Sequence, residues 1–133
     1  MMHAARGTFT VQMTPAEEPH THDDVSLPRM KLTKEYTGDL AATAEGQMLT
    51  ARTPVPESAG YVATERVTGT LAGRAGSFVL QHSGLMSAAT QDLSIAIVPD
   101  SGTGALVGIQ GELRILIEDG THRYELDYEL PET

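Results

Sequence analysis

The chain has 133 residues, which fits one domain, and its 40% hydrophobic content supplies a single core. A net charge of −9, with nine scattered Lys and Arg, argues against a nucleic-acid partner, since phosphate binding needs a concentrated basic surface. No cysteine is present, so disulfides and thiolate chemistry are excluded.

No apolar run approaches the roughly 18 residues of a membrane span. The start, MMHAARGTF, has no long apolar stretch after its arginine, so no secretory signal is read there and a cytoplasmic location is expected. No membrane partner is expected either.

Strand-like runs recur between turn signals. Residues 7–13 form the first, with Phe9, Val11 and Met13 on one face and Thr8, Thr10 and Gln12 on the other. Residues 14–26 are polar, with two prolines, two histidines and four acids, and read as a loop. A second strand is predicted over residues 27–37. A turn at Gly38 and Asp39 leads to a third over 40–51. Pro54 and Pro56 break the chain before a fourth strand over 61–71. A turn at 73–76 precedes the fifth, 77–86, and the sixth covers 92–98. Residues 100–104 are a turn, and the seventh strand is read as long, 105–117. Asp119 and Gly120 turn it into the eighth, 121–130.

No convincing helical periodicity appears. Residues 41–47 contain helix formers, but Thr43 and Gly46 interrupt them. Eight strands with short Gly-bearing connections predict an all-β, closed, antiparallel, eight-stranded up-and-down β-barrel. Closure is inferred because it removes exposed edges, and a two-sheet sandwich stays open on this reading.

Alternation then sorts the lining. His122, Tyr124, Leu126, Tyr128 and Leu130 share the apolar face of the eighth strand. In the second, Met30, Leu32 and Tyr36 share a face with Lys34, which is the odd member. In the fourth, Tyr61, Ala63, Val67, Gly69 and Leu71 share a face with Glu65. A buried carboxylate needs a partner, such as Lys34 or a tyrosine hydroxyl, or a raised pKa. The fifth strand is apolar on both faces, so one of Gln81 and His82 points inward and alternation does not decide which. The seventh places Val107, Ile109, Leu113, Ile115 and Ile117 together. Small inward residues (Ala42, Ala44, Gly46, Ala63 and Gly69) tilt the expectation toward a hollow lumen.

Several segments resemble a bacterial family, the domain of unknown function numbered 3224. They are Gly7-Thr-Phe9, Gly38-Asp-Leu40, the stretches 59–65 and 73–82, Val98 to Gly104, and 122–128. The resemblance covers nearly the whole chain, and Gly-Ser-Phe-Val-Leu-Gln-His (76–82) and Pro-Asp-Ser-Gly-Thr-Gly (99–104) carry it most specifically. It implies a barrel similar to that of allene oxide cyclases and no reaction. The plant cyclases use a buried glutamate, and Glu65 is a counterpart in character only, so no role is transferred.

Glu65 and His82 are the candidate catalytic residues, with acid–base work on an apolar ligand as the chemistry. Tyr36, Tyr61, Gln81, His122, Tyr124 and Tyr128 are the candidate ligand contacts. The competing reading is a satisfied internal hydrogen-bond network. His20, His22, Asp23 and Asp24 form only a weak metal pattern, and no metal or cofactor is expected. Gly102-Thr-Gly104 lacks the lysine and helix start of a phosphate loop, and Ser77, Ser83 and Ser101 lack a nucleophile elbow. Three function classes follow. The first is a module binding a small apolar or amphipathic molecule, and the second a cyclase or isomerase using Glu65. The third is a filled structural barrel, whose apolar fifth and seventh strands would suit a homo-oligomer.

Overall fold

Alternating sequence becomes alternating burial along nearly every strand of the computed structural model, which describes residues 1–18 and 20–131. Ten strands form one antiparallel sheet. They are β1 (His3–Pro15), β2 (His20–His22), β3 (Val25–Leu27), β4 (Arg29–Gly38), β5 (Leu40–Arg52), β6 (Ala59–Leu71), β7 (Arg74–Met86), β8 (Gln91–Ile97), β9 (Gln110–Glu118) and β10 (Thr121–Glu129). The eight long strands follow chain order around the wall, and β1 pairs with both β4 and β10. That double pairing closes the barrel and removes the sandwich alternative. Among the described residues no helix is long and apolar enough to cross a membrane.

The expected loop at 14–26 is partly built. Strand β1 runs on to Pro15, and β2 and β3 make a small hairpin outside the barrel. Its turn uses Asp23 and Asp24 at φ 49° and 64°, a two-residue turn made without glycine. The β6–β7 turn sits at Ala72 and Gly73 rather than at 73–76, so β7 starts at Arg74.

The long seventh strand is not observed. A 3-10 turn at Gly104–Leu106 interrupts it, and β9 begins only at Gln110. Val107 is therefore 62% exposed, while Leu106 and Ile109 are buried against the core. The preceding loop lies along β7. Ser101 Oγ accepts from the Val79 amide at 3.0 Å and Thr103 Oγ1 from the Ser77 amide at 3.0 Å. These hydroxyls occupy amides that strand β8 leaves behind when it ends at Ile97. The two most specific sequence segments thus meet each other and close this end of the barrel. Beyond it, β8 and β9 share a single ladder pair, Ala96 with Glu112.

The core fills that same end. Leu40, Val67, Leu71, Phe78, Leu80, Leu106, Ile109, Tyr124 and Leu126 are all essentially inaccessible. Gly38 matters at the β4–β5 turn: its φ is +104°, and a Cβ there would stand 2.6 Å from the Arg6 carbonyl oxygen. The Tyr124 hydroxyl anchors this turn, donating to Thr37 O at 2.8 Å and accepting from Leu40 N at 2.9 Å.

Candidate functional site

The other end of the barrel is open. Phe9, Val11, Leu32, Met48, Ala63 and Ile115 line a cavity of ≈ 1140 Å³, with a rim that includes Met13, Arg52, Glu57, Asp92, Leu93 and Ile117. Drug-sized ligand sites run to about 300–1,000 Å³, so this volume is ample. Of the five small residues expected to point inward, Ala63 is the one on its wall. Ala44 packs in the filled core instead, with Ala42 against it. A Cβ on Gly46 would stand 2.0 Å from Thr64 O and one on Gly69 2.2 Å from Ala41 O, so these glycines serve close strand approach.

Lys34 from β4 and His82 from β7 face the cavity at its floor, and Glu65 from β6 lies behind them. All three are buried, at 7%, 4% and 1% exposure. Glu65 Oε2 receives Lys34 Nζ at 2.8 Å and the His82 Nε2–H at 3.0 Å. Its Oε1 accepts from the Tyr36 hydroxyl. Lys34 Nζ also lies 3.5 Å from the Tyr36 oxygen and 5.0 Å from the centroid of the Phe9 ring. Three side chains from two strands therefore converge on one carboxylate.

Burial disfavours a charged Glu65, but the His82 hydrogen bond and the Lys34 ammonium together outweigh it and hold its pKa down at about 2. The partner branch of the sequence expectation holds, and the raised-pKa branch is corrected. An acid this strong stays ionised near neutrality and is a poor proton carrier there. Glu65 instead fixes its neighbours. Burial and the adjacent carboxylate both push the Tyr36 hydroxyl upward, so it remains a donor.

With Nε2–H given to Glu65, His82 presents Nδ1 elsewhere. Among the described residues no protein group pairs with Nδ1 and no buried polar side-chain atom lacks a partner, so Nδ1 is reached from the cavity. This is the arrangement of a carboxylate-oriented imidazole.

The remaining candidates divide by position. Tyr61 is half-buried on the cavity wall, its ring centroid 6.3 Å from that of His82, and its hydroxyl pKa is raised by burial and then by Glu65. A Cβ on Gly84 would stand 2.6 Å from the Tyr61 ring, so only glycine leaves that ring its place. His122 also lines the wall, 5.2 Å from Phe9 between ring centroids.

Three expectations are corrected. Gln81 points outward, because β7 turns His82 inward to meet Glu65. Tyr124 spends its hydroxyl on the Thr37 and Leu40 backbone, away from the cavity. Tyr128 is buried at the filled end, where its ring packs on His3 with centroids 5.4 Å apart. Lys34 was visible in the sequence as a misfit and as a partner for Glu65, but not as a group lining a cavity. Met48 and Leu32 gave no signal beyond ordinary core alternation.

The His20 side chain of the weak metal pattern lies outside the described residues. Among the described residues His22 pairs with Asp23, at 3.1 Å on the surface. Among the described residues no group of three His, Asp or Glu side chains converges as a metal site would.

No curated protein matches the chain. A solved structure does, that of a protein of unknown function from the DUF3224 family of Shewanella oneidensis MR-1. It is 44% identical, covers 99% of this chain and 100% of that one, and superposes with a TM-score of 0.92. The family model described as protein of unknown function DUF3224 matches residues 5–128, and with that span covered the chain belongs to the DUF3224 family.

Proposed function

We propose that the barrel binds one small amphipathic molecule in its open half, chain against the apolar wall and polar end toward Lys34 and His82. The observation that carries this reading is the pairing of a large apolar cavity with a charged, internally satisfied floor. A filled structural barrel has no need of the volume, and ligand sites combine apolar walls with a few placed polar groups.

The test uses a neutral apolar fluorophore, N-phenyl-1-naphthylamine. Saturable binding at one molecule per chain is expected. Ala63→Phe or Met48→Trp should obstruct the cavity and abolish that binding without lowering the melting temperature. Absence of saturable binding, or binding indifferent to both substitutions, would remove the proposal. Native mass spectrometry of the purified protein would show a co-purifying molecule directly.

A second reading is acid–base catalysis, favoured by the Nδ1 of His82 facing the cavity while Glu65 holds Nε2. Of the two groups expected from sequence to move a proton, it makes His82 the mover and Glu65 its positioning residue. Glu65→Gln separates the two readings once a bound compound is known. Loss of its conversion with binding retained, measured at a temperature where the variant is still folded, supports catalysis; unchanged conversion, or none in the unmodified protein, leaves binding alone.

A further inference from the structure

A ligand seated in this cavity meets the floor with its inner end, and the floor has a definite polarity. The negative member, Glu65, is fully buried and does not line the cavity. The positive member, Lys34, lines the cavity. Of its three N–H groups one is given to Glu65 and one lies near the Tyr36 oxygen, which leaves the third. The ligand therefore meets the positive end of an oriented pair. A cationic head group would be set against a like charge in a poorly solvated place, at high cost.

The charge balance says more. Without ligand, Lys34 and Glu65 neutralise each other. An anionic head group adds one negative charge to a buried cluster. His82 is the floor group that can answer it, by taking a proton from solution at Nδ1 while Nε2–H stays on Glu65. Its charged and titratable surroundings are Glu65 and Tyr61 on β6, Lys34 and Tyr36 on β4, and His122 on β10, with Asp92 of β8 at the rim.

We propose, resting on the cavity reading above, that the floor is a carboxylate subsite. The barrel then takes a monocarboxylate with an apolar chain, carboxylate innermost on Lys34 and His82, and His82 gains a proton as it binds. The ligand keeps its charge, and the proton comes from solvent.

Three ligands sharing one chain test this: decanoate, decanol and decylamine. Each is titrated calorimetrically into the wild-type protein at pH 7.5, in two buffers of different ionisation enthalpy. Decanoate should bind about tenfold or more tighter than decanol, because its hydrogen bonds are charge-assisted, and decylamine weakest. Decanoate binding should take up close to one proton and decanol binding none. His82→Gln, which retains a donor for Glu65, should remove the uptake and the advantage of decanoate over decanol.

Equal affinity of decanoate and decanol without proton uptake overturns the subsite. So does loss of decanoate binding in Arg52→Gln but not in His82→Gln, which would put the head group at the rim. Binding of the neutral naphthylamine but of none of the three ligands overturns the subsite alone. Binding of nothing at all overturns the cavity reading with it.

Discussion

The two ends of this barrel are made from the same strands under the same alternation, yet one is packed solid and the other holds a cavity. At the filled end Leu71, Phe78, Leu80 and Ile109 interlock under the Gly104–Leu106 turn, and even the tyrosine hydroxyl of Tyr124 is consumed by backbone. At the open end the inward positions carry Val11, Met48, Ala63 and Ile115, and they border the cavity. The boundary between the two is the Lys34, Tyr36, Glu65 and His82 cluster. Inward-facing therefore means two things in one protein, core at one level and cavity wall at the next.

The sharpest way to break this comparison is at the boundary. Glu65→Ala leaves Lys34 buried without its counter-charge, and a loss of about 3–5 kcal/mol is expected in urea unfolding. The double replacement Lys34→Met with Glu65→Leu should recover much of it, since isosteric apolar pairs often substitute without loss. Failure of that recovery would make the cluster a net source of stability.

Phe78→Ala probes the filled end, where a cavity is created in close-packed surroundings, and should cost about 3–5 kcal/mol. Met48→Ala probes the open end. That side chain already borders empty space, so the change should stay below about 1 kcal/mol. Equal costs would show that the cavity is closed in solution.

Acid should act on the boundary next. The Glu65 pKa is lowered from 4.5 to about 2 on folding, so its contribution is present above pH 4.5 and is lost as pH falls through about 2. A shift of that size corresponds to something on the order of 3 kcal/mol. Unfolding free energy measured between pH 5 and pH 2 should fall, and Glu65→Gln should flatten that part of the curve. Smallest of the effects at the filled end, Tyr124→Phe should cost about 1–3 kcal/mol by leaving the Leu40 amide without its buried acceptor.

Much of the fold was legible because period-two patterning is a local property. Lys34 and Glu65 stood out as polar members of apolar faces, and their pairing followed from the cost of burying either alone. What alternation cannot express is height along the barrel axis. Tyr61, Tyr124 and Tyr128 are equally inward by sequence, but only Tyr61 reaches the cavity. For the same reason Ala63 could not be told from Ala44. Gln81 and His82 were indistinguishable until β6 supplied Glu65 as a partner. Val107 was misplaced because a 3-10 turn resets the phase of burial, and the β2–β3 hairpin was missed because aspartates take its positive-φ turn positions.

The floor cluster also constrains assembly of the wall. Glu65 pairs across β6 with Gly46 of β5 and Leu80 of β7, and its acceptors face Lys34 and His82 on two other strands. A slip of β6 by one residue would turn Thr64 or Arg66 inward and send Glu65 to solvent, stranding three buried donors, Lys34, Tyr36 and His82, at once. Apolar residues tolerate such errors more readily, since one aliphatic group can replace another. The carboxylate thus works as a proofreading mark for strand register, admitting one alignment of β4, β6 and β7 and penalising its neighbours.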